Sequence, residues 1–263
     1  MLSKSHPFAE VRLPCILIAA VLFTSQAFAS GLNDTGITFC GDASTNTASC
    51  ATVAKDGGTY PRQDARYGRD AQAAAGSLSK TGGGGKGFDF TKIANNGSVL
   101  SASAVLGNGP TDWACTRDNV TGLIWEVKTT SGLRSQSHTY TWYNRNSAIN
   151  GGFVGTASGG TCFTSGHCDT EKFVQDVNAA GLCGASDWRM PSRKELTSIL
   201  DLGRVNPAID PDYFPNTPGS SFWSGSPYAD NSRSAWGVDF DGGGAPNPIR
   251  GYGYAVRLVR GGQ

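Results

Sequence analysis

Six cysteines placed behind an N-terminal export signal constrain this chain more than any other feature. Lys4 and Arg12 make a positive start, Leu13 to Phe23 is an unbroken apolar run, and Ala27-Phe28-Ala29 fits a small-residue cleavage site. The run is too short to span a bilayer, which takes about 18 or more apolar residues, and no later segment is apolar enough. The sequence therefore predicts a signal peptide over residues 1–29 and a mature chain starting near Ser30 with no transmembrane segment. Its destination is the periplasm, the outer cell surface or the extracellular space. Cleavage removes Cys15 and leaves Cys40, Cys50, Cys115, Cys162, Cys168 and Cys183. An even number of cysteines in an oxidising compartment predicts disulfides. Spacing alone does not fix the pairing. Proximity favours Cys40–Cys50 and Cys162–Cys168, which leaves Cys115–Cys183 to close the longest loop, an effect of about 4 kcal/mol by chain entropy. A zinc site is the weaker reading, because His167 stands beside Cys168 but no paired-ligand spacing accompanies it.

Composition narrows the class further. Charged residues are 16% of the chain and the formal net charge is +1, so phosphate neutralisation has little to work with and no nucleic-acid partner is expected. Glycine accounts for 36 of 263 residues, roughly twice the usual share of about 7%. Glycine this dense is costly inside helices and argues against a helical bundle.

From residue 30 to 110 the chain reads as a glycine-rich, loop-rich extension that packs on the domain after it. It carries the Gly82–Gly85 run, one helix expected over Arg62 to Ala75, and short strands at Phe88–Phe90 and Ser98–Leu106. From 111 to 263 the signals sharpen into one domain. Thr121–Val127 and Thr139–Tyr143 are β-prone. A helix is expected from Thr170 to Ala180, with Phe173, Val174 and Val177 as its apolar stripe and Gly181 as a left-handed stop. A second opens at Ser192, where Ser192 and Glu195 form a capping box. Three late strands come next, Ser221–Ser224, Ala235–Asp241 and Tyr254–Arg260. Two short helices ahead of a strand meander, with disulfides, predict an α+β fold.

Ordered motifs across this region carry a family resemblance. They are Asp118–Glu126 (DNVTGLIWE), Asp187–Leu196 (DWRMPSRKEL), Ile209–Pro215 (IDPDYFP), Phe222–Ser226 (FWSGS), Trp236–Asp241 (WGVDFD) and Val256–Arg260 (VRLVR). Residues 115–262 resemble the C-terminal domain of the Legionella collagen-like protein family and, more distantly, C-type-lectin-like and formylglycine-generating-enzyme domains. The resemblance implies a C-type-lectin-like domain with a twisted antiparallel sheet. It also implies an exported adhesion role, since one member is a trimeric adhesin for sulfated polysaccharide, and it brings a homo-oligomer into view. This chain departs from that member in lacking a collagen repeat and a basic excess, with 13 basic against 14 acidic residues over 111–263. Arg250, Arg257 and Arg260 are the residues left to form an anion-binding patch.

The expected ligand site lies in the last 41 residues. Trp223, Tyr228, Tyr252 and Tyr254, with Arg250, gather there among Gly-, Asn- and Ser-rich loops, and aromatic faces with polar handles suit sugars. Trp236 shares a strand phase with Val238 and Phe240 and reads as core. Asp239 and Asp241, at i and i+2 before Gly242–Gly244, are the calcium candidates, although two carboxylates fall short of the six to eight oxygens that Ca²⁺ takes. No other cofactor is expected. Arg189 reads as an internal partner that holds the second helix's entry. No nucleophile–base constellation or phosphate loop is present, so the sequence predicts a non-catalytic binding or adhesion protein with carbohydrate as the ligand. Its rivals are a structural envelope protein that binds other subunits and a degenerate relative of an enzyme fold.

Overall fold

The computed structural model describes residues 33–261, so the expected signal peptide lies outside the described residues. Among those residues no helix is long and apolar enough to cross a membrane. The fold is α+β. Short helices α1 (Cys50–Val53), α2 (Asp64–Tyr67) and α3 (Arg69–Ala74) come first, then strands β1 (Phe90–Ala94), β2 (Trp113–Asp118) and β3 (Ile124–Glu126). Helices α4 (Thr170–Ala179) and α5 (Arg193–Thr197) come after them, and β4 (Ser221–Pro227), β5 (Ala235–Asp239) and β6 (Val259–Arg260) complete the chain. One antiparallel sheet has the order β1-β2-β3-β6, and β4 pairs with β5 in a second.

The four-stranded sheet separates two apolar cores. Phe90, Trp125 and Val259 join Leu196, Ile199, Phe214, Phe222, Val238 and Phe240 in one. Ile93, Ala114, Val256 and Leu258 join Tyr140, Trp142, Phe173, Val177, Trp188 and Trp223 in the other. Adjacent residues such as Leu258 and Val259 thus face opposite cores, as the two-residue strand period requires. Three disulfides are present: Cys115–Cys183 ties β2 to the segment after α4, and Cys40–Cys50 and Cys162–Cys168 close short loops.

The sheet begins at Phe90, about twenty residues before the expected domain start at 111. Phe90 stands opposite Asp118 and Ile93 opposite Cys115, so the glycine-rich segment supplies an edge strand of the main sheet. The stretch before it is docked by polar contacts. Lys86 pairs with Asp201 at 2.8 Å, the Asn33 amide donates to Asp118 Oδ2 at 2.8 Å, and Gly85 N–H donates to Asp210 Oδ2 at 2.9 Å. The helix expected over Arg62–Ala75 forms as two pieces. It breaks at Gly68, where a Cβ would collide with the Asp64 carboxylate folded against it.

Both later helices form where their caps place them. The Asp169 side chain accepts from Lys172 N–H at the start of α4, Phe173 and Val177 are buried, and Gly181 takes φ 62° just past the end. The Ser192–Glu195 capping box opens α5, and Arg189 grips Glu195 with two hydrogen bonds of 2.9 and 2.6 Å. Burial raises the Glu195 carboxyl pKa, but the Arg189 fork and the Ser192 N–H outweigh it and hold the group below its ordinary value. Ser192→Ala is expected to cost about 1 kcal/mol, read as a lowered urea midpoint at unchanged slope.

The expected strand at Thr139–Tyr143 does not form as one. Four of its five residues bridge to different places: Thr139 to Thr161, Tyr140 to Tyr254, Thr141 to Asp169 and Tyr143 to Gly155. Tyr254 and Ala255 are bridged elsewhere in the same way, to Tyr140 and Phe222, which shortens β6 to two residues. Ser98–Leu106 likewise contributes only bridges at Val99 and Leu106.

Candidate functional site

Trp142 and Tyr143 of the Thr139–Tyr143 hub line a cleft of about 550 Å³. Tyr143, Ile149, Val174, Met190 and Pro227 give it apolar walls over Trp142, while Asn144, Glu171, Gln175 and Ser226 bring polar groups to its lining. Each wall has a local cause. The α4 wall is fixed by Thr170, whose hydroxyl donates to Tyr143 O at 2.8 Å and accepts from Tyr143 N–H at 2.9 Å. Glu171 is held by Arg145 through its N–H at 2.8 Å and its Nε at 2.6 Å. The opposite wall, residues 144–153, approaches β4 closely at Gly151. That residue has φ +67°, and a Cβ there would stand 2.7 Å from Pro227 Cβ.

Arg250 sits behind this wall and does not face a ligand. It is fully buried, with its guanidinium 3.9 Å from the Trp142 ring centroid. It donates to Ser234 O at 3.1 Å, to Asn150 O at 2.9 Å and to Phe153 O. Trp142 is pinned from its other end by Nε1–H donating to Ser224 O at 2.9 Å. Burial lowers the Arg250 pKa from its ordinary value.

The sequence-selected residues therefore divide. Trp223 is a correction: it is fully buried, its Nε1–H donates to Tyr140 O at 2.8 Å, and it has no face left for a ligand. Arg250 is a second, and the anion-binding patch goes with it. Arg257 is also fully buried, donating to Glu126 O and Thr217 Oγ1, and Arg260 pairs with Asp187 at 2.6 Å. Tyr254 is half-buried, edge-on to Trp223 at 5.0 Å, and Tyr252 stands beside it, 57% exposed. Tyr228 is half-buried against Trp236, with its hydroxyl donating to Asp230. Trp236 is not core. It is half-buried, with the Arg193 guanidinium 4.3 Å from its ring centroid and Tyr228 edge-on to it. Tyr228 and Arg193 directly succeed Pro227 and Ser192 of the cleft lining, so this aromatic ledge adjoins the cleft. Asp241 lies past the end of β5, and its N–H donates to Asp239 Oδ1 at 3.3 Å. The two acidic residues accordingly share a turn instead of a strand face.

The cleft itself was missed. The signal available was the pair Trp142–Tyr143 in a β-prone run, together with the half of α4 opposite Phe173 and Val177.

These features lie within a stretch matched from 114 to 260 by the family described as the Lcl C-terminal domain. The chain belongs to the Lcl C-terminal domain family. The match ends at the last strand and begins inside β2, so β1 and α1 to α3 lie outside the matched residues. No curated protein and no solved structure matches the chain. The C-type-lectin-like likeness thus rests on the sequence motifs alone.

Proposed function

We propose that this protein is an exported, non-catalytic binding and adhesion module that holds carbohydrate in the Trp142–Tyr143 cleft. The observation that carries this reading is the cleft's two-sided chemistry. Tyr143, Val174, Met190 and Pro227 offer apolar surface, and the side-chain amides of Asn144 and Gln175 offer donors and acceptors beside it. A pyranose has the same division between a C–H face and a hydroxyl rim, and about 550 Å³ falls in the range of small-ligand sites. A binding role is further supported by the state of the charged groups in the lining. Glu171 is engaged by Arg145 and Arg189 by Glu195, so neither is placed as a free acid or base. Three disulfides and membership of the Lcl family support export.

A glycan array probed with the full chain, with and without chelator, tests the reading. Binding is expected, and Tyr143→Ala and Gln175→Ala each weaken it about tenfold or more while Tyr252→Ala leaves it unchanged. No bound glycan in either condition overturns it. Loss of binding in Tyr252→Ala alone moves the site to the Tyr252–Tyr254 edge. One observation favours the second reading, a protein partner. Ile149, Phe153 and Val154 in the cleft's outer loop are 57%, 39% and 40% exposed, an apolar lip that suits a polypeptide. Recovery of one envelope protein in a pull-down that Ile149→Asp abolishes would support it.

A further inference from the structure

Far from the cleft, the carboxylates of Asp34, Asp64 and Asp70 bring one oxygen each to within 4.8 Å of the other two. Asp34 lies in the entering segment, Asp64 opens α2 and Asp70 is in the first turn of α3. One oxygen of each is already held. Gly87 N–H donates to Asp34 Oδ2 at 2.8 Å, Ala71 N–H donates to Asp70 Oδ1 at 2.8 Å, and the Thr35 hydroxyl donates to Asp64 Oδ2. The second oxygens of the two buried members have nothing. Asp34 Oδ1 and Asp70 Oδ2 are buried without a hydrogen-bond partner, on residues 5% and 3% exposed.

Among the described residues none of the three makes an ion pair. The nearby cations are committed elsewhere. Lys86 Nζ serves Gly36 O and Asp201, Lys80 Nζ serves Gly84 O and Lys86 O, and Arg69 Nε serves Gly87 O. Buried carboxylates are kept charged only when paired, hydrogen-bonded or bound to a cation.

We propose that Asp34, Asp64 and Asp70 hold a Ca²⁺ ion that fastens the entering segment, α2 and α3 to the Gly87 loop. The donor set is oxygen only, which selects a hard cation over zinc or copper. Two oxygens each about 2.4 Å from one Ca²⁺ stand no more than about 4.8 Å apart, and Ca²⁺ tolerates mono- or bidentate carboxylates with water filling the remaining positions. Water and ion have a route. A recess of about 400 Å³, lined by Thr38, Ala73, Leu78, Lys80 and Lys86, reaches the cluster at Asp70. All three acids lie outside the residues matched to the Lcl domain.

Calcium titration calorimetry and thermal melts on the EDTA-stripped full chain test the proposal. One ion per chain is expected, with a melting temperature about 5 °C higher at saturation. Asp34→Asn and Asp70→Asn are each expected to weaken calcium binding tenfold or more. In EDTA they melt at or above the parent, because an amide removes like-charge repulsion. Asp64→Asn, at a half-exposed position, repeats the affinity loss should a buried variant fail to fold. Asp239→Asn leaves the response intact. No heat and no thermal shift with Ca²⁺ overturns the proposal, as does a calcium response that survives all three Asn substitutions or vanishes in Asp239→Asn. A response to Mg²⁺ but not to Ca²⁺ overturns the calcium assignment. Asn variants that melt higher beside a parent indifferent to calcium mean a shared proton, which also overturns it.

Discussion

Glu126→Ala is expected to cost about 3–5 kcal/mol of folding stability, the penalty for leaving buried charge without its partner. Glu126 is fully buried on β3, with Oε1 2.9 Å from Lys128 Nζ and Oε2 accepting from Leu258 N–H at 3.0 Å. Two more cations depend on the same place. Arg257 Nη1 donates to Glu126 O at 2.8 Å, and Arg134 donates to the Val127 and Ala114 carbonyls on either side of the strand pair. Burial lowers the pKa of Lys128, of Arg134 and of Arg257, the last to about 10, and the Glu126 charge opposes the shift in each case. Without that carboxylate three cations share a space closed to water. Urea unfolding with the disulfides intact measures the loss.

Two companions make the cause specific. Adding Lys128→Met to Glu126→Ala is expected to recover much of the loss, since replacing both members of a buried pair by apolar groups is often neutral. Raising pH toward 10 is expected to recover part of it in the single variant. There the folded state sheds the Lys128 proton while the unfolded chain still holds it, so stability rises with pH. A loss under about 1 kcal/mol, or one indifferent to both rescues, would show that the pair does not hold the sheet's centre.

How much of the fold was legible in the sequence depends on how local each signal is. The helix at Thr170–Ala179 and the cap at Ser192 depend on neighbours within four residues, and both stand where the residues place them. The three disulfides follow the pairing that proximity along the chain favours, the two short loops first and Cys115–Cys183 as the remainder. The Arg189–Glu195 fork was also within reach, because Arg189 lies six residues from its acid. The cleft depends on contacts that no window contains. Arg250 serves carbonyls 97 and 100 residues away, and Trp142 donates across 82. Trp223 and Arg250 were expected at a binding surface because aromatic and arginine residues in glycine-rich loops commonly bind. The fold instead uses them to satisfy buried carbonyls. Phe90–Ala94 reads as part of an extension for the same reason: its pairing partner lies beyond the weakly patterned residues 95–112.

Arg250→Met separates the two readings of that residue and is expected to cost about 3–5 kcal/mol. A surface arginine that binds sulfate would lose affinity for anionic glycan with stability unchanged. The buried arginine leaves the carbonyls of Asn150, Phe153 and Ser234 without donors, each worth about 1–3 kcal/mol, and removes the cation from the face of Trp142. Methionine fills much of the volume, so the loss reports hydrogen bonding more than a cavity. Arg250→Lys is expected to recover little, because a single ammonium cannot reproduce a planar fork that reaches three carbonyls and stacks on an indole. The outer loop should loosen with it. Faster amide exchange is expected at Asn144 and Thr156, whose N–H groups donate to Val154 O and Trp142 O across that loop. Full stability in Arg250→Met with lost binding would return Arg250 to the surface. Lost stability with lowered loop protection would identify it as the brace that gives the cleft its outer wall.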